Sequence, residues 1–197
     1  MFVERIKEIK SNTELEVVSM NDAPEVVCIN NFFSPLDITY LLNIIPQFTD
    51  SISDNQLESY RLSPYIQDVV KSTCLNVAKI TGHSLQNLNY INMYEIESGN
   101  SMAIKGFSLP KIQESTVATS PNGNIEAIGV LALTKTPLKL CGVPITAEAG
   151  TLSLVKTVDV DPEVCNNTTL ECYTSEEDVC FVTFKFTENP RELIYET

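Results

Sequence analysis

Residues Ile80 to Gly99 read ITGHSLQNLNYINMYEIESG, and they mark the point at which a helical chain becomes a stranded one. Ahead of them, Ile66, Val69, Val70, Cys74, Val77 and Ile80 recur at helical spacing on one face. Ser63-Pro64 supplies a cap and a first-turn proline for that helix, and Gly82 supplies its C-terminal stop. A short polar link follows, and from Leu88 to Ile96 apolar and polar residues alternate with the period of a half-buried strand before Glu97-Ser98-Gly99.

Toward the N-terminus, Phe2 to Lys10 suits a short amphipathic helix or strand, and Leu15 and Val17 alternate beyond a polar connection at Ser11 to Thr13. Glu25 to Ile29 reads as a strand. Ser34-Pro35 then opens a helix over Leu36 to Ile45 that Pro46 ends, and Thr49 to Tyr60 has the polar, aperiodic composition of a loop. Toward the C-terminus, Ile125 to Thr134, Leu138 to Ile145, Thr151 to Val158 and Val179 to Phe186 read as strands between Pro, Gly and Asn clusters. Ser115 to Gly123 reads as a long loop. Helices first and antiparallel strands after predict an α+β fold, with two helices supporting one face of a β-sandwich or rolled barrel. Residues 1–22 are set apart as an N-terminal extension and 23–197 as a single domain.

The composition narrows the function classes. Thirteen basic against twenty-six acidic residues leave a net charge of −13, which repels a phosphate backbone and argues against nucleic-acid or anionic-membrane partners. Acidity is densest at Asp159, Asp161, Glu163, Glu171, Glu176, Glu177 and Asp178. No apolar run approaches the ~18 residues of a membrane helix, and MFVERIKEIK lacks a signal-peptide core, so a soluble cytoplasmic protein is expected. Cys28, Cys74, Cys141, Cys165, Cys172 and Cys180 are scattered without a Cys-x-x-Cys, and with one histidine the usual zinc spacings cannot be assembled. They read as reduced, buried, small apolar residues. The sequons within Asn166 to Thr169 carry no weight in a cytoplasmic chain.

The order of these elements resembles the prolyl 4-hydroxylase branch of the 2-oxoglutarate and Fe(II) dependent dioxygenases. The resemblance runs from Val26 to Gly99: Asn31-Phe32-Phe33-Ser34-Pro35 before a helix, a polar loop, a long helix ending Ile80-Thr81-Gly82, and a strand entering Tyr94-Glu95 and Gly99. It implies a double-stranded β-helix, a jelly-roll-like core with two supporting N-terminal helices. It also implies an iron site built from a His-x-Asp pair soon after Gly99, a second histidine near the penultimate strand, and a basic anchor for 2-oxoglutarate. Counted from Gly99, the His-x-Asp positions fall on Lys105-Gly106-Phe107. The second histidine falls on Thr169-Leu170-Glu171-Cys172, and the basic anchor on Cys180 to Phe181, with Lys185 within reach of a shifted register. Lys105, Phe107 and Glu171 thus occupy degenerate metal-site positions. A two-histidine triad cannot be built within a chain whose only histidine is His83, and His83 sits in the link after the helix, where it reads as an exposed or locally bonded turn residue.

Other chemistry weighs less. Lys105 lies among Met102, Ala103, Ile104 and Phe107, where a lysine that snorkels to the surface is the ordinary alternative to a nucleophile of lowered pKa. Glu171 with Cys172 lacks a neighbouring histidine to activate the thiol, and Glu95 with Glu97 reads as a solvated strand face. No phosphate-binding glycine loop, G-x-S-x-G or H-E-x-x-H occurs. The expected function is that of an inactive dioxygenase-like protein with no metal and no cofactor, serving as a structural or protein-interaction module within a larger assembly such as a viral or phage particle, or partnering an active hydroxylase. The alternative is an enzyme or sensor that keeps a small-ligand or unconventional metal pocket among Lys105, Glu171 and Cys172; the structural reading has Phe107 and its neighbours close that pocket.

Overall fold

The computed structural model describes residues 2–9, 14–22, 24–44, 64–104, 125–157 and 170–190, without the side chains of 44, 64–71, 89–93 and 104. The loops read at Thr49 to Tyr60 and Ser115 to Gly123, the helix stop at Pro46, and the sequons lie outside the described residues.

Three helices and two antiparallel sheets make up the described chain. The helices are α1 (Phe2–Ile6), α2 (Pro35–Ile44) and α3 (Pro64–Thr81). The strands are β1 (Glu16–Asp22), β2 (Glu25–Asn30), β3 (Leu88–Ile96), β4 (Met102–Ile104), β5 (Ile125–Ala132), β6 (Thr136–Leu140), β7 (Val143–Ala147), β8 (Leu152–Lys156), β9 (Leu170–Cys172) and β10 (Val179–Thr187). A six-stranded sheet runs β1-β2-β8-β5-β10-β3, and a four-stranded sheet runs β4-β9-β6-β7.

Alternation along the strands of the large sheet divides the apolar residues between two cores. Val27, Ile29, Ala127, Leu131, Leu154, Val182, Phe184 and Phe186 face the helices, where they meet Phe2 and Ile6 of α1, Ile38 of α2, and Cys74, Val77 and Ile80 of α3. Val26, Cys28, Ile128, Val130, Val155 and Phe181 face the other way and meet Leu138, Leu140, Ile145, Leu170 and Cys172 of the small sheet. The helices therefore back one face of the large sheet. Phe2 and Ile6, from the segment set apart as an extension, are only 2% and 4% exposed.

The helix ends follow local chemistry. Ser34 and Asp37 cap α2 reciprocally: the Asp37 amide donates to Ser34 Oγ at 3.2 Å, and the Ser34 amide donates to Asp37 Oδ2 at 3.3 Å. At the end of α3 the Gly82 amide bonds the Lys79 carbonyl at 3.2 Å and the His83 amide bonds the Ala78 carbonyl at 3.0 Å, a Schellman closure that needs Gly82 at φ +80°. The strand expected over Leu138 to Ile145 is instead a hairpin. Cys141 and Gly142 take φ +46° and +84°, and Leu140 pairs with Val143 across them. Positive φ at both central residues is the two-residue turn that matches strand twist, and Cys-Gly lacks the Asn or Asp that usually signals it.

Substituting Gly82→Ala should destabilise the protein by about 1–3 kcal/mol through left-handed strain alone. A methyl group there would also lie 1.8 Å from Arg5 Nη1, forcing the guanidinium off the C-terminal end of α3. Urea denaturation should show the lowered midpoint with an unchanged slope, and an unaltered midpoint would contradict the Schellman assignment.

Candidate functional site

The space between the two sheets is where the large sheet's inward residues could hold a ligand. The rows across this face can be read from the register. Val26, Val155, Ile128 and Lys185 form one row; Cys28, Ser153, Val130 and Thr183 form the next; Ala132, Phe181 and Tyr94 form a third. Its middle row is small and partly polar, and Cys28 Sγ lies 3.5 Å from Ser153 Oγ with both side chains buried. The third row is aromatic: the Tyr94 and Phe181 rings stack at 5.2 Å and 28°, and Phe181 is fully buried.

Of the sequence-derived positions, Lys105 and Phe107 lie outside the described residues. Glu171 is described, and it faces away from the interior. On β9 the buried residues are Leu170 and Cys172, which pack into the inter-sheet core, while Glu171 between them points outward with its side chain 32% exposed. Its register partner Lys139 on β6 brings Nζ to 3.9 Å from Glu171 Oε2, an ion pair on the outer surface of the small sheet. Cys172 does point inward, but burial pushes its thiol up to about 11, which keeps it a neutral and weak metal ligand. Among the described residues Phe181 and Tyr94 are the aromatic rings of the inter-sheet core.

The expected basic anchor falls on Cys180 and Phe181, which part to opposite faces of β10. Cys180 joins the helix-side core, its thiol pushed up to about 12 by burial and then by the Glu95 carboxylate, and Phe181 joins the inter-sheet core. Lys185 sits further along on the interior face, opposite Ile128, and burial lowers its pKa. Thr183 lies between Phe181 and Lys185 on that face and hydrogen-bonds the Tyr94 phenol, whose pKa burial raises. The described interior thus retains one polar strip, Tyr94, Thr183 and Lys185, beside apolar walls.

His83 is placed by features that sequence reasoning missed. Its Nε2 lies 2.9 Å from Glu126 Oε2, its ring stacks on Phe186 at 5.4 Å and 22°, and its side chain is 13% exposed. The contact is long-range rather than a local turn bond, and it depends on strand irregularity. Phe186 pairs with Ala127 but Thr187 pairs with Ile125, so Glu126 is an extra residue on β5. Ile125 and Ile128 both face the inter-sheet core while Ala127 faces the helices, which turns Glu126 to the helix side, where His83 waits at the end of α3. The carboxylate accepts from Nε2–H, leaving Nδ1 buried and without a hydrogen-bond partner among the described residues. The histidine therefore belongs to the helix side of the large sheet. Among the described residues no three His, Cys, Asp or Glu side chains gather as a metal-binding group.

Comparison with solved structures gives the architecture a context. The chain matches the viral collagen prolyl hydroxylase of Paramecium Bursaria Chlorella virus-1, solved with 2OG, at TM-score 0.54 and 10% identity, covering 82% of this chain and 94% of that one. It matches a prolyl-4-hydroxylase from Pseudomonas putida at TM-score 0.50 and 11% identity, covering 98% and 95%. The fold resembles that of prolyl hydroxylases. At such identity the likeness concerns fold alone. No family model matches the sequence, and no curated protein matches it.

Two measurements test the site as described. Phe181→Ala should cost about 3–5 kcal/mol in urea denaturation, because a fully buried ring leaves an uncollapsed cavity; a loss below about 1 kcal/mol would indicate an interior with open space. The thiols of Cys28, Cys74, Cys172 and Cys180 are all raised by burial from an ordinary 9.0, so above pH 9 the unfolded chain ionises first while the native state keeps its protons. Stability should hold below that point and fall as pH rises toward 11 and beyond, against a smaller opposite trend from Lys185, whose deprotonation relieves its burial. Urea midpoints between pH 8 and 10.5 read the sign, and a rising midpoint would contradict it.

Proposed function

We propose that this chain is a dioxygenase-fold protein without iron chemistry that acts through contact with other proteins, its sheets forming a double-stranded β-helix filled by its own side chains. The observation that carries this reading is the place of the only histidine. A 2-oxoglutarate-dependent iron centre calls for two histidines and a carboxylate converging inside the barrel. Within these 197 residues the single imidazole is engaged by Glu126 and Phe186 on the helix side of the large sheet. At the β9 position the inward groups are Leu170 and Cys172, and the carboxylate of Glu171 points out to Lys139. The residues present do not fit the iron of the fold's enzymes.

Exchanging ligands for apolar side chains removes buried charge that is costly without its metal, so a scaffold can lose the site and keep its stability. A rigid two-sheet core with variable connections then serves as a platform for contacts. The partner called for is another protein, within an assembly such as a viral particle or bound as a regulator to an active hydroxylase. Co-purification with particle components favours the first, and with a hydroxylase or its substrate the second.

One observation favours a second reading. Lys185, Thr183 and Tyr94 share the interior face, and a half-buried cation beside two hydroxyls suits a small anion such as a carboxylate. A thermal-shift titration with Mn(II) and with 2-oxoglutarate, separately and together, tests both. No shift at millimolar ligand is the expected result. A saturable rise that requires both ligands would overturn the proposal, because only ligands held by the native state stabilise it in this way. A rise with 2-oxoglutarate alone that Lys185→Ala abolishes would replace it with the small-anion reading.

A further inference from the structure

The six-stranded sheet ends at β1, and among the described residues only β2 pairs with it. Five of its seven residues are exposed, including Val18 at 38% and Met20 at 39%. Among the described residues the outer side of this strand has no pairing partner, a condition that proteins ordinarily manage with lysine, proline, a bulge or brevity. Two of those devices appear at the edges of the small sheet: β7 carries the exposed Pro144, and β4 has three residues. β1, Glu-Val-Val-Ser-Met-Asn-Asp, has neither lysine nor proline; its one irregularity is Met20, an extra residue between the Ser19–Val27 and Asn21–Val26 pairs, which leaves Glu16 to Ser19 in regular register.

Its charges are of one sign. From Glu14 to Asn30 the chain carries Glu14, Glu16, Asp22 and Glu25 and no Lys or Arg, and β7, which approaches β1 from the small sheet, adds no base. Asn30 Nδ2 donates to Glu16 Oε2 at 3.2 Å and holds that carboxylate at the start of the strand. A second copy of this chain fits poorly. Two β1 strands in antiparallel pairing would bring the Glu16 end of each alongside the Asp22 end of the other, acid beside acid, and like charges that face one another across strands are destabilising. An extended strand with basic ends would reverse that sign at both positions.

We propose that the outer edge of β1 docks an extended basic segment of another protein, added as a further strand of the large sheet. This deepens, and rests on, the reading of the chain as a protein-contact module. Backbone ladder bonds along Glu16 to Ser19 supply the affinity, the exposed Val18 and the bulged Met20 take apolar side chains, and Glu16 and Asp22 select Lys or Arg at the two ends. The recognised chemistry is a short β-forming run, rich in Val, Ile or Thr, between basic residues.

The test uses the full chain and capped seven-residue peptides with Val, Ile or Thr at positions two to six, carrying Lys or Arg at both ends or Glu at both ends, with binding read by titration and by NMR amide shifts. Basic-ended peptides should bind at least ~10-fold tighter than acidic-ended ones at low salt, with the preference narrowing as salt rises. The shifts should centre on 16–22. Val18→Lys combined with Met20→Lys should cut binding ~10-fold or more while leaving the melting temperature nearly unchanged, since both side chains are exposed. Absence of binding, equal binding of both peptide classes, or shifts centred elsewhere would overturn the docking edge. So would sedimentation showing a dimer joined through β1. The Mn(II) and 2-oxoglutarate titration separates this outcome from the broader reading: silence in both experiments removes the edge and leaves the contact-module reading standing, whereas peptide binding with a shift that needs both ligands keeps the edge and removes that reading.

Discussion

The large sheet is buried on both faces, and the rest of the described structure follows from that constraint. Every strand in its middle must place one set of alternate side chains against the helices and the other against the small sheet. β10 shows the consequence most fully: Cys180, Val182, Phe184 and Phe186 go to one core, Val179 and Phe181 to the other. A slip of one residue would exchange both sets at once, so the register is held from two sides. Along β10 the register slips near Lys185 to Thr187, where β3 and β5 each carry an extra residue opposite it. It is there that a charged group, Glu126, is turned toward the end of α3.

That division also governs the chemistry available. A side chain at the end of α3 and one on the inward face of β9 are separated by the thickness of the sheet, so His83 cannot join Cys172. On the inward side the described groups are neutral thiols, hydroxyls, aromatics and Lys185, and on the helix side the imidazole is tied to a carboxylate. Burial acts on both sides in the same direction, favouring uncharged forms. The thiols are held protonated and Lys185 is eased toward neutrality, and the interior they line is better suited to packing than to gathering a cation.

Much of the fold was legible because its signals are local. Ser34 and Gly82 announce helix ends through bonds that span four or five residues, and the alternation of β3 and β10 is visible in any window of that length. β4 escaped notice and β9 was reached only through the family resemblance because three residues carry no period, and the Cys141-Gly142 turn was missed because its left-handed cysteine is an uncommon occupant. The site was less legible. Sequence counting pointed to Glu171 but could not give its parity, which on a strand decides between interior and solvent. Nor could it give the Glu126 partner of His83, because a bulge is a property of the pairing between strands, and a single sequence does not display its pairings.

Where such a protein can meet others is also a matter of what the layers leave uncovered. One face of the large sheet is covered by helices and the other by the small sheet, so the described contact surfaces are strand edges, the outer faces of the helices and of the small sheet, and the connections. The small sheet's outer face carries compensated charge, as in Lys139 with Glu171, and a compensated pair exposed to solvent attracts little. Among the described residues no ion pair joins the acids of β1 to a base, and only β2 pairs with its backbone. A chain of net charge −13 keeps copies of itself apart by repulsion that acts over about a Debye length. The same field leaves that edge open to a partner of the opposite sign, so the acidity of the whole molecule and the bareness of one strand become parts of a single device.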